Sequence, residues 1–150
     1  MTRKYEPIIP SIVEELRRAE EDFELLSIQD TAANTEWLEN NFPIASVGRI
    51  NWKKVPESIC IKYFGDSELL SAFKEIVAQQ QLEGDLTVSW TNARTRPIKM
   101  NMKVLKKYAE EIFQEDWETW ICNERDEWLI ENHHDGEICF GRCIVNNEQS

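Results

Sequence analysis

Residues 119–142, "TWICNERDEWLIENHHDGEICFGR", hold three alternating runs separated by two short polar turns. Turns this short join antiparallel neighbours, because a parallel strand needs a crossover of a dozen residues or more. The stretch therefore commits this part of the chain to an antiparallel meander. A two-residue turn at Arg125-Asp126 sets Ile121 opposite Ile130, Cys122 opposite Leu129, Trp120 opposite Glu131 and Glu124 opposite Glu127, whereas a three-residue turn would swap Trp120 into the core. In the second hairpin, Asn132 facing Gly136 across His133-His134-Asp135 sets Ile130 opposite Ile138, Trp128 opposite Phe140 and Leu129 opposite Cys139. The period of two then sorts side chains by face. Ile121, Trp128, Ile130, Ile138 and Phe140 form a core face. Glu118, Trp120, Glu124, Glu127, Glu131 and Glu137 share the other, with Glu131 directly opposite Glu137.

The rest of the chain supplies helices and three more strands. "SIVEELRRAEEDFELL" carries apolar residues at 12, 13, 16, 19, 23 and 26, the period of a helix, and Ser11 with Glu14 forms a capping box. "DTAANTEWLENNF" reads as a second helix stopped by Pro43. "SICIKYF", "DLTVSWT" and "PIKMN" alternate as strands. Between them "SELLSAFKEIVAQQQ" has the apolar stripe Leu69, Leu70, Phe73, Ile76 and Val77, and "MKVLKKYAEEIFQ" reads as one long helix. The expectation is an α+β fold in a single domain spanning 1–150, with a mainly antiparallel sheet of five to six strands. Helices should pack on one face and leave the other partly wet. A chain of 150 residues buries enough surface to fold without a metal or a disulfide.

Charge is concentrated. Residues 110–150 hold 12 acids and two bases, a net −10 of the chain's −11. Such a field repels nucleic acid and anionic membrane and attracts basic partners, although acidity also serves plain solubility. No apolar run approaches a membrane span, and "MTRKYEPIIPS" has charge without an apolar segment. The expectation is a cytoplasmic protein that binds neither nucleic acid nor membrane directly, with Cys60, Cys122, Cys139 and Cys143 reduced.

Few residues invite catalysis. His133 and His134 fall at a hairpin tip. Neighbours in an extended segment point apart, and a tip lacks the outer shell that orients a metal ligand, so the expected reading is a solvated turn with no metal. Cys139 and Cys143, four apart in a strand, would lie roughly 13 Å apart, too far for one zinc or one disulfide. GxSxG, P-loop and GxGxxG motifs are all lacking. The chain reads as a non-enzyme with no cofactor.

The acids suggest a binding surface. In the helix over 102–114, Lys103, Lys106 and Lys107 come early, with Glu110, Glu111, Glu115 and Asp116 late, opposing the helix dipole. Several local rules failing together point to a functional region. The candidate partner-binding residues are Glu118, Trp120, Glu124, Asp126, Glu127, Glu131, Asp135 and Glu137, with Trp120 as the aromatic anchor among the acids.

The stretch "DWETWICNERDEWLIENHHDGEICFG" resembles, in type, the immunity proteins encoded with contact-dependent growth inhibition and other polymorphic bacterial toxins. The resemblance covers the C-terminal third and carries no shared signature, so no residue role transfers by motif. It implies a non-enzymatic inhibitor that binds the C-terminal domain of a cognate toxin, with a basic nuclease as the expected partner. Two rivals are an acidic nucleic-acid mimic that blocks a DNA- or RNA-binding protein and a small His/Cys enzyme. The near-neutral first 109 residues speak against the first, and a convex hairpin tip speaks against the second.

Overall fold

The computed structural model describes residues 6–45 and 49–143. Its elements are α1 (Ile12–Arg18), β1 (Phe23–Leu25), α2 (Ile28–Asn41), a 3-10 turn at Trp52–Lys54, β2 (Ile59–Lys62), α3 (Gly65–Gln80), β3 (Asp85–Trp90), β4 (Ile98–Asn101), α4 (Met102–Lys107), α5 (Ala109–Phe113), β5 (Thr119–Asn123), β6 (Trp128–His133) and β7 (Glu137–Arg142). The class is α+β, as expected. Seven strands form one antiparallel sheet in the order β1-β4-β3-β5-β6-β7-β2.

The strand beyond the expected six is β1, read from the sequence as the end of the first helix. That helix stops at Arg18, and Glu20 takes a positive φ of 55°. The acids Glu20, Glu21 and Asp22 would sit at the negative end of a longer helix, where the dipole opposes them. Released from it, Phe23 and Leu25 pair with Met100 and Ile98 along β4. The expected capping box at Ser11 is not formed, and the Ser11 backbone N–H instead donates to Glu115 Oε1 at 2.9 Å. A capping box does form at Ser27, whose hydroxyl accepts from Asp30 N while Asp30 accepts from Ser27 N.

The long helix expected over 102–114 is two helices broken at Tyr108. The break largely relieves the dipole conflict: Lys106 and Lys107 close α4, and Glu110 and Glu111 open α5, each at its favoured end. It also lets Tyr108 Oη donate to Glu21 Oε2 at 2.8 Å, an oxygen that Lys107 Nζ also reaches.

The core lies on the face that alternation assigned to it. Ile121, Trp128, Ile130, Ile138 and Phe140 are buried with Leu86, Val88 and Ile98 against α1, α3, α4 and α5. The opposite face is partly wet, as expected: Glu24, Lys99, Cys60 and Lys62 are exposed on it, while its centre is covered. Leu38 of α2 and Phe42 just after it, with Ile50, Trp52 and Val55 further on, bury Cys122, Leu129 and Cys139. Helical segments therefore reach both faces, because the irregular run after α2 folds back over the centre of the sheet instead of leaving it. Gly141 permits this approach: a Cβ there would come within 2.7 Å of the Trp52 ring and Val55.

The first hairpin has the expected register, Ile121 to Ile130 and Trp120 to Glu131. The second is displaced by two residues. Ile130 faces Phe140, Glu131 faces Cys139, and His133 faces Glu137. Gly136, at φ 95°, closes a three-residue loop of His134, Asp135 and Gly136 and donates to His133 O at 3.0 Å. A loop of this length wants glycine at its left-handed position, which moves the ladder by two. A shift of two conserves faces, so the face assignment survives while the Glu131–Glu137 pair does not.

Cys60 faces Cys139 in register, and their sulfurs form a disulfide between positions 79 apart in sequence. This corrects the expectation of four reduced thiols; the local spacings around Cys139 gave no hint of Cys60, which reaches it only through the β2–β7 pairing. Reduction should lower stability by about 2–4 kcal/mol in urea unfolding. Cys60→Ser should show no further loss with reductant, and an unchanged wild-type midpoint would refute the bond's contribution.

Candidate functional site

The eight residues singled out from sequence do not form one surface. Glu131, at the centre of the sheet, is only 1% exposed. Its Oε1 accepts from Trp52 Nε1 at 2.7 Å, and its Oε2 accepts from Trp120 Nε1 at 2.8 Å and Ile50 N at 3.3 Å. Glu131 is thus a structural acceptor and no part of a docking face. Trp120 gives its N–H to that acceptor and packs against the second core, half-buried. It also walls a cleft with Leu38, Ile44, Ile50, Ala93 and Ser89.

The remaining acids separate to the two ends of the strands. Glu124, Asp126 and Glu127 are exposed in the β5–β6 turn. The Asn123 side chain organises this turn, donating to Asp126 Oδ2 at 3.0 Å and accepting from Asp126 N at 2.9 Å. Glu118, Asp135 and Glu137 lie at the opposite end, a strand length of roughly 17–20 Å away. There Arg49 bridges Asp135 (3.2 Å) and Glu137 (3.6 Å).

At this second end the histidines depart from the sequence reading. They do not point apart: the two rings lie 4.5 Å apart at centroids, tilted by 31°. His133 ends a strand and His134 opens the turn, so they are not successive residues of one extended segment. His134 Nδ1 makes a short hydrogen bond to Glu118 Oε2, and His133 Nε2 lies 3.7 Å from the same oxygen. His133 Nδ1 meets Asp135 Oδ1 at 3.0 Å. Burial raises the Glu118 carboxyl, but hydrogen bonds from the His134 ring, the Thr91 hydroxyl and the His134 backbone, with the charge of His133, bring it below 4.5. Asp135 is likewise raised by burial, then carried below 3.8 by His133 and Arg49.

Sequence reasoning missed two aromatic residues at this end. Trp117 is 67% exposed, with the His134 ring 4.8 Å from its own. Phe64 is 88% exposed and follows Tyr63, whose N–H donates to Gly136 O. The available signal was negative: Trp117 precedes the β5 ladder and has no cross-strand partner to cover it.

The thiols offer no nucleophile. Burial, with the charge of Glu127, pushes Cys143 up to about 12, and burial raises Cys122 further still. Among the described residues, no helix is long and apolar enough to cross a membrane.

A family model described as CdiI immunity protein, EcoliA0-like, matches residues 11–141. The chain belongs to the CdiI immunity protein family. No curated protein sequence matches it. For a CdiI immunity protein the relevant partner is a cognate toxin.

Two outcomes test this account. Glu131→Ala strands two indole N–H groups and a backbone N–H, and should cost roughly 3–5 kcal/mol in chemical unfolding; Glu131→Gln, which keeps one acceptor, should cost less. Glu118 has its carboxyl lowered on folding, so its contribution is complete above 4.5 and is lost as pH falls through the lowered value. The stability gap between wild type and Glu118→Gln should therefore be constant near neutrality and shrink in acid.

Proposed function

We propose that this immunity protein neutralises its cognate toxin without catalysis, in the cytoplasm, by covering a basic surface of the toxin with the sheet end that carries Trp117, Glu118, Asp135 and Glu137. The observation that carries the reading is Trp117, a large aromatic side chain 67% exposed beside Asp116 and Glu118. Trp is a frequent anchor at the centre of an interface, and acids around it steer a basic partner and set its orientation. Phe64 extends the apolar part of the same end. Trp117 replaces Trp120 as the anchor, since Trp120 is committed to Glu131. A basic nuclease fits as the target. Carboxylates spread over a convex end would occupy the places of substrate phosphates, in the active site or beside it.

The toxin domain encoded beside this chain is the probe. Co-expression should protect cells, and the purified pair should bind. Trp117→Ala should weaken binding by at least about thirtyfold, the loss expected of an anchor residue, without unfolding the chain. Asp116→Lys with Asp135→Lys should slow association and flatten its salt dependence. Reversing Glu124, Asp126 and Glu127 at the far turn should leave affinity within about threefold, the usual range for charges outside an interface. The opposite pattern, with the far turn essential and Trp117 dispensable, would move the interface to the other end of the sheet.

A further inference from the structure

One residue beyond the Thr119–Asn132 pair, the antiparallel ladder brings Glu118 opposite His133, and the turn adds His134. Their donor atoms all lie within 4.8 Å of one another. A tetrahedral zinc ion with bonds near 2.1 Å sets its donors about 3.4 Å apart, and Glu118 Oε2 is already 3.7 Å from His133 Nε2. The rest of the cluster behaves as an outer shell. Asp135 Oδ1 holds His133 Nδ1 at 3.0 Å, which turns Nε2 toward Glu118. The Thr91 hydroxyl occupies Glu118 Oε1 at 3.1 Å and leaves Oε2 for the histidines. Arg49 in turn holds Asp135 Oδ2 at 3.2 Å. A carboxylate behind a histidine, itself anchored by a further group, is the arrangement that orients and strengthens a metal-binding imidazole.

We propose that Glu118, His133 and His134 form a three-ligand site for zinc or a closely similar late first-row divalent ion, with a fourth position open to solvent. Two imidazoles and one carboxylate are borderline donors that suit zinc, cobalt, nickel or copper and discriminate against magnesium and calcium. The ion would take the place of the His134–Glu118 hydrogen bond. The site stands on this chain alone and does not depend on which surface meets the toxin. The one other donor cluster among the described residues, Cys60, Glu137 and Cys139, has both sulfurs in a disulfide, so it does not compete under oxidising conditions.

The test uses the full chain, freed of any affinity tag, stripped with chelator and dialysed without reductant. Titration with Co²⁺ should give one equivalent bound, with the visible absorption of a low-coordinate site, and Zn²⁺ should displace it while Mg²⁺ and Ca²⁺ do not. His133→Ala, His134→Ala and Glu118→Gln should each abolish stoichiometric binding with an unchanged far-ultraviolet dichroism spectrum. Asp135→Asn should weaken it by about 10–100-fold, as removal of an outer-shell partner does. Zn²⁺ added to the wild type should also shift the ¹⁵N resonances of His133 Nε2 and His134 Nδ1, a readout that needs no variant. Failure to retain an ion at micromolar concentration, binding that survives all three ligand variants, or binding lost only in Cys60→Ser would overturn the assignment.

Discussion

The buried carboxyl of Glu131 is the interaction on which the rest of the architecture depends. It sits on β6, near the middle of the sheet, and gathers three donors that belong to other elements: the Trp52 indole, the Trp120 indole and the Ile50 backbone. Those donors fix the segment after α2 onto a sheet face that would otherwise be open. Once Trp52 is fixed, Val55 and Phe42 follow it into the second core, and Gly141 is required beneath them. A group this buried is costly unless each oxygen is satisfied, and here each oxygen accepts at least one hydrogen bond.

That arrangement decides where the remaining charge goes. With the centre of both sheet faces covered, acids on the C-terminal strands meet water at the turns at either end, while Glu24 stays exposed on β1. One end holds Glu124, Asp126 and Glu127. The other gathers Glu118, Asp135 and Glu137 with two histidines, Arg49, Trp117 and Phe64. The second end differs in kind, because it combines ion-paired charges with two largely exposed aromatic residues, Trp117 and Phe64. Pairing fixes geometry more than it adds stability, since exposed ion pairs contribute little on their own. Charged groups already held in place lose less entropy on binding than mobile ones.

Local electrostatics account for the helices. α1 ends before its acidic run, and the expected long helix is divided at Tyr108, leaving lysines at one C-terminus and glutamates at the next N-terminus. What looked from sequence like a violated dipole rule, and so a sign of function, is largely relieved by the break, which leaves Lys106 and Lys107 at one C-terminus and Glu110 and Glu111 at the next N-terminus.

The sequence by itself determined the antiparallel sheet and the residues of its main core face, and offered the observed register of the first hairpin as one of two. Each follows from short-range regularities: period-two alternation, turn length and the matching of apolar neighbours at Ile121, Ile130 and Ile138. It also pointed to a family type through its acidic, tryptophan-rich C-terminal strands. Tertiary structure alone decided that Glu131 is buried, that Cys60 meets Cys139, and that Glu118 receives both histidines. Those contacts join residues far apart in the chain, such as 52 with 131 and 60 with 139, and alternation assigns a residue to a face without saying what covers that face. The two-residue displacement of the second hairpin marks the boundary between the two kinds of information. Period two conserved the faces of β7, but only the left-handed position of Gly136 in the folded loop set which residues stand opposite one another.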